Sequence, residues 1–150
     1  MNSRIPIQVL VYPVRRREVS WEYLLLRRTE ERGGFWQGVT GAPEEGEDVA
    51  DAARRELLEE TGYSPEMITQ TDFSYTIEIK DVVGSVYPED IREIPEYVFF
   101  TVIDTPEDPV IDPIEHTQWK WCSFDEALEL LHWESNKDAL VYVHSMLEEL

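Results

Sequence analysis

A chain of 150 residues that is 42% hydrophobic and 30% charged holds enough apolar material for one compact domain, residues 1–150, and contains no apolar run of membrane-spanning length. Its formal net charge of −19 repels nucleic-acid backbones, whose binding relies on Lys and Arg neutralising phosphate, so neither a nucleic acid nor a membrane is an expected partner. A small phosphorylated ligand remains compatible with that charge, because bound cations invert the local field. The N-terminal MNSRIPIQVLVYPVRRR lacks the form of a cleavable signal peptide, and the lone Cys122 has no internal disulfide partner. Both features point to a reducing cytoplasm. The oligomeric state has no signature in the sequence.

In chain order, IPIQVLVY and WEYLLLRR read as strands joined by a basic RRREVS turn, and WQGVTG is a short extended piece. Helical periodicity runs from about Asp48 to Thr61, with Gly62 as its stop. DFSYTIEI alternates as a half-buried strand does, DVVGSVYPEDIREIP reads as a loop, and YVFFTVI is a strongly apolar strand. After the proline-rich PEDPVIDPIE, HTQWKWCSF is a further strand. Ser123 and Glu126 form a capping-box pattern before the helix FDEALELLH, and Asn136 is a candidate cap for the last helix. Mixed strands with few helices predict a layered α/β or α+β domain.

The segment GAPEEGEDVADAARRELLEETGY, residues 41–63, carries the chemistry. At about 100° per residue, Glu60 lies about 40° from Glu56, with Glu59 about 60° to the other side, so three carboxylates share one helix face. An apolar stripe of Ala50, Ala53 and Leu57 adjoins them. Like charges one turn apart, near the negative end of the helix dipole, are unfavourable without a ligand. Arg55 offsets part of this by pairing with Glu59. A bound Mg²⁺, which takes oxygen ligands and bridges carboxylates to phosphates, offsets more. Seven specified residues at about 7% usage each recur by chance on the order of once in 10⁸ placements, so a merely solvated acidic helix does not account for the whole pattern.

Gly41, Glu47, Arg55, Glu56, Leu57, Glu59, Glu60 and Gly62 match the box G-x5-E-x7-R-E-U-x-E-E-x-G-U, where U is a bulky aliphatic residue, and on these residues the chain resembles the Nudix family. Tyr63 departs at the last position, a change expected to alter packing rather than chemistry. The resemblance implies an α/β/α sandwich around a mixed sheet and hydrolysis of a diphosphate linkage with Mg²⁺ or Mn²⁺. Carried onto this chain, it makes Glu56, Glu59 and Glu60 metal ligands, with Glu59 or Glu56 a candidate general base. Glu47 is a weaker candidate for the metal site, and Arg55 orients the carboxylates.

Arg27, Arg28, Phe35, Trp36, Gln37, Val39, Thr40 and Gly41, with the later EHTQWKW and SNKDAL, resemble the branch of that family acting on dihydroneopterin triphosphate or dATP. By this resemblance Glu115 is an additional metal ligand, while His116 reads as a packing or hydrogen-bonding residue. Trp36 is a candidate to stack on a base or pterin. Arg27 or Arg28, only one of which alternation aims at a given face, is a candidate phosphate contact. Asn136 is a candidate pocket residue. The expected substrate is thus a nucleoside or pterin triphosphate. Dinucleoside polyphosphates, nucleoside diphosphate sugars, oxidised dGTP, and a non-catalytic nucleotide sensor are the alternatives. The segment Val39-Thr40-Gly41-Ala42 departs from the PGG or PKG that often precedes the box in the alternative hydrolase groups.

Overall fold

The computed structural model describes residues 5–81 and 87–150; residues 82–86, inside the stretch read above as a loop, lie outside the described residues. Among the described residues, seven strands form one sheet: β1 (Gln8–Arg17), β2 (Ser20–Arg28), β3 (Trp36–Gln37), β4 (Val39–Gly41), β5 (Thr69–Glu78), β6 (Glu93–Val102) and β7 (His116–Cys122). The main path runs β3-β2-β1-β6-β5, with β4 paired to β1 and β7 to β2. β1 and β6 are parallel and the remaining pairs are antiparallel, so the sheet is mixed.

Strand alternation sends successive β1 side chains to opposite faces, and both faces are covered. Leu10, Tyr12 and Val14 pack with Tyr23, Leu25 and Val98 against α2 (Phe124–Leu130) and α3 (Glu134–Glu148), through Ala127, Leu140 and Val143. Val9 and Val11 join Leu24, Leu26 and Phe99 beneath α1 (Val49–Thr61), which contributes Ala52, Ala53 and Leu57. Each fully buried Leu or Val contributes roughly 1.5–3 kcal/mol, so both layers are firmly held. This is the expected α/β/α sandwich. Tyr63 is buried in the α1-side core, and its hydroxyl donates to Glu107 O at 2.7 Å.

The ends of α1 follow the sequence. The Asp48 side chain accepts from Asp51 N at 2.8 Å, and Gly62, at φ 79°, donates its N–H to Leu58 O. Ser123 caps α2 by accepting from Glu126 N. Other boundaries differ. Arg15, Arg16 and Arg17 continue β1 instead of forming a turn, because Arg15 pairs with Glu22 at 2.7 Å and Arg16 lies over the Trp21 ring across the ladder. WQGVTG divides into β3 and β4 at Gly38, where a Cβ would come 2.8 Å from Val11 O. The end of the stretch read as a loop, Glu93 to Pro95, belongs to β6.

Asn136 does not cap α3. That helix begins at Glu134 behind Trp133, which makes no side-chain cap bond, and Asn136 lies buried in its first turn. Its amide is engaged by the sheet, donating from Nδ2 to the Tyr75 hydroxyl at 3.3 Å, and so is unavailable to a helix end.

Candidate active site

α1 crosses the sheet at β4, where Gly41 pairs with Val9. The Glu56 side chain fills the space above Gly41: a Cβ there would stand 2.2 Å from Glu56 Cδ. Glycine at this position permits a carboxylate to lie directly on the strand.

Arg55 organises the surrounding acids. Its Nε donates to Glu47 Oε2 at 3.0 Å, Nη2 to the Ala42 carbonyl at 2.9 Å, and Nη1 to Glu56 Oε1 at 2.9 Å. A longer contact of 3.4 Å reaches Glu59. The planar fork thus ties the loop before α1 to the carboxylate face of the helix. The hydrogen bond from Arg55 holds the Glu47 carboxyl below the usual range, and Glu47 in turn strengthens protonation of Arg55.

Glu60 is buried, its side chain only 4% exposed. Burial pushes its pKa well up, the hydrogen-bonded Glu56 carboxyl pushes it further, and the Glu115 charge adds to this. Glu56 is also raised, by burial first, against the opposing pull of Arg55. Two adjacent carboxyls in a dry site are a poor arrangement for the protein alone and a good one for a cation. Ligand atoms of Glu60, Glu115 and His116 all lie within 4.8 Å of one another. His116 Nε2 is 3.6 Å from Glu60 Oε1, and His116 Nδ1 is buried with no hydrogen-bond partner among the described residues. Burial, then the charges of Arg28 and Arg32, lower the His116 pKa to about 4, so the imidazole is neutral at physiological pH. The donor set therefore fits a divalent cation. Carboxylate oxygen suits Mg²⁺, and a neutral imidazole beside it also suits Mn²⁺.

These groups stand in a cleft of about 470 Å³, a size suited to a nucleotide-like ligand. Its wall includes Glu56, Glu60, Glu115 and His116 at one end, with Arg28 and Arg32 beside them. Gln8, Thr76, Glu96 and Asn136 also line it, as do the rings of Phe35 and Trp133. Glu59, with its side chain 57% exposed, is outside this lining and held to Arg55. Alternation separates the two arginines: Arg28 enters the cleft, its guanidinium 5.5 Å from the Phe35 ring centre, while Arg27 turns to Gly34 O and Glu30. Trp36 packs against the α2/α3-side core and does not line the cleft; Phe35 and Trp133 occupy the aromatic wall instead. Sequence reasoning passed over Arg32, Trp133 and Glu96, and it took His116, grouped here with Glu60 and Glu115, for a packing or hydrogen-bonding residue. Only for His116, adjacent to Glu115, was there a local signal.

Fold and site together define an α/β/α protein whose acidic cleft suits a divalent cation. The sequence profile of the NUDIX domain matches residues 4–142. The chain is 30% identical over 140 residues to the dihydroneopterin triphosphate diphosphatase of Escherichia coli, covering 91% of this chain and 89% of that enzyme. It is 35% identical over 117 residues to an octanoyltransferase of Myxococcus xanthus, where the match covers 78% of this chain but spans only 30% of that protein's length. Among solved structures, a NUDIX hydrolase from Listeria monocytogenes superposes with a TM-score of 0.83 at 28% identity, covering 97% of this chain and 96% of its own. The chain belongs to the Nudix hydrolase family, whose members use divalent cations.

Proposed function

We propose that residues 1–150 work as one Nudix domain that hydrolyses a nucleoside or pterin triphosphate, of the dihydroneopterin triphosphate or dATP type, to the monophosphate and pyrophosphate. The observation that carries this reading is the convergence of Glu56, Glu60 and Glu115 at one end of a cleft that also holds Arg28 and aromatic walls. The E. coli relative that aligns over most of both chains supports the choice of branch.

Glu56, Glu60 and Glu115, with Glu59 nearby, would hold a divalent cation, which would supply neutralisation of phosphate charge and acidification of water. Mg²⁺ is the expected ion and Mn²⁺ a substitute. The water oxygen forms a bond to phosphorus as the bridging P–O bond breaks, and pyrophosphate leaves with that electron pair. Glu59 or Glu56 accepts the proton from the attacking water. Burial raises the Glu56 pKa above the ordinary carboxylate value, against the pull of Arg55. Arg55 holds the carboxylates apart and aimed. Arg28 contacts substrate phosphate, and Asn136 faces the heterocycle. Trp36 and Arg27, turned from the cleft, support its wall instead.

The lone Cys122 suits a reducing cytoplasm. No helix of the described residues is long and apolar enough to cross a membrane. A pyrophosphate-release screen with Mg²⁺ tests the function. It covers dihydroneopterin triphosphate, common NTPs and dNTPs, dinucleoside polyphosphates and nucleoside diphosphate sugars. Free triphosphates should be hydrolysed; turnover confined to capped diphosphates would overturn the assignment.

A further inference from the structure

The end of the cleft lined by Glu96 and Asn136 is built differently from the metal end. Gln8, Glu96 and Tyr75 are direct neighbours across β1, β6 and β5, so their side chains form one row on the sheet. Glu96 is buried and accepts hydrogen bonds from Gln8 Nε2 and from the Tyr75 hydroxyl. Having donated its only proton, the Tyr75 oxygen must accept from Asn136, which fixes the amide with Nδ2 toward Tyr75. Asn136 is 5% exposed, and its Oδ1 is left buried with no partner among the described residues. A second bond, from the Tyr12 hydroxyl to Asn136 O at 2.7 Å, anchors the first turn of α3 to the same sheet.

The network therefore leaves unpaired acceptor capacity on two residues that line the cleft: the remaining lone pairs of Glu96 and the buried, orphaned Asn136 Oδ1. Burying an acceptor without a donor is unfavourable, so this end of the cleft calls for a ligand that supplies N–H groups. Phe35 and Trp133 line the same cleft and offer ring faces to a planar group.

Resting on the triphosphatase reading above, we propose that Glu96 and Asn136 read the substrate heterocycle as hydrogen-bond acceptors. They select a ring edge with a ring N–H beside an exocyclic NH₂, the 2-amino-4-oxopyrimidine edge that guanine and pterin share. Adenine is disfavoured, because it presents an acceptor nitrogen beside its amino group and would leave one buried acceptor facing another. Burial raises the Glu96 pKa, and the bonds donated by Tyr75 and Gln8 oppose that rise.

Calorimetric binding of GMP and AMP without divalent cation tests the edge separately from catalysis. GMP should bind roughly tenfold or more tighter, the effect of one unpaired buried acceptor. Equal affinities, or tighter AMP, overturn the inference. With Mg²⁺, dihydroneopterin triphosphate and GTP should both exceed dATP in kcat/KM. The better of the two identifies pterin or guanine as the source of the edge. Hydrolysis of GTP and dATP with equal kcat/KM overturns the inference but leaves the triphosphatase reading standing. GMP preference in a protein that hydrolyses no triphosphate has the opposite meaning. Glu96→Gln presents an amide donor where an acceptor stood, so the GMP/AMP ratio should fall toward one. If that variant fails to fold, Tyr75→Phe releases the Asn136 amide and should lower the same ratio; an unchanged ratio in a folded variant counts against the proposal.

Discussion

Gly41 and Glu56 occupy the same volume: where a Cβ would stand on the strand, the glutamate carboxyl already lies, 2.2 Å from that position. The carboxylate, inside α1, is aimed by the absence of a side chain about fifteen residues earlier in the chain.

Gly41→Ala should therefore act on the metal site more than on the core. Forcing a methyl against Glu56 costs about 1–3 kcal/mol of overpacking, relieved by swinging the carboxyl away. A lower unfolding temperature and a weaker Mg²⁺ activation constant are expected together. An unchanged Mg²⁺ titration of turnover would show that Glu56 needs no such seat.

Arg55→Ala removes the cation that lowers the pKa of both Glu47 and Glu56. The Glu56 pKa should rise further, so the acidic limb of the kcat/KM profile moves to higher pH. Arg55→Lys should restore little, since an ammonium cannot span Glu47, Glu56 and the Ala42 carbonyl as the fork does. A pH–rate profile identical to wild type in the alanine variant contradicts the orienting role.

Glu60→Gln should separate stability from activity. The folded pKa of Glu60 lies above the ordinary value of 4.5. Its stabilising contribution is therefore complete below that value and is lost as pH rises through the folded pKa. The cation-free wild type should thus lose stability on going from pH 4.5 upward, and the glutamine variant should lose less. Turnover of the same variant should fall by roughly 10²-fold or more. Thermal unfolding with chelator, followed across pH, checks the first half. Turnover at saturating Mg²⁺ checks the second, and wild-type turnover there removes Glu60 from the site.

Mg²⁺ should raise the unfolding temperature of the wild type, because binding to the folded state alone adds RT ln(1 + [L]/Kd), about 2.7 kcal/mol at a hundredfold excess over Kd. The gain should grow with pH as Glu56 and Glu60 give up protons to the ion. A thermal shift that is flat from pH 5 to pH 8 would argue against coordination by this pair.

His116 should titrate near pH 4 in the cation-free protein, against 6.5 for an ordinary histidine. Its folded pKa is depressed, so its contribution to stability is full above 6.5 and fades as pH falls toward 4. NMR titration of the imidazole resonances reads this directly. An ordinary midpoint would mean that the ring is solvated and not wedged beside Glu60.

The course of the box helix was legible in the sequence, because its start, its stop and the Glu56-Glu60 pair depend on residues within one short segment, although Glu59 points out of the cleft toward Arg55. Asp48, Gly62 and the Glu56-Glu60 spacing behave as local rules require. Legibility ended where contacts run far along the chain. Asn136 has the composition of a cap, yet its amide is claimed by Tyr75 on β5, 61 residues away. Trp36 has the look of a stacking residue, yet strand pairing turns it toward the core and leaves Phe35 and Trp133 at the cleft.

By itself, then, the sequence determined the family, the layered fold and the carboxylates of α1, since each is set by periodicity or spacing over a few turns. The tertiary structure decided which groups meet those carboxylates. Strand register brings Glu115 and His116 to Glu60, divides Arg28 from Arg27, and sets Glu96 beside Gln8 and Tyr75. These relationships belong to side-chain direction across hydrogen-bonded strands, where one residue of register exchanges the two faces of the sheet.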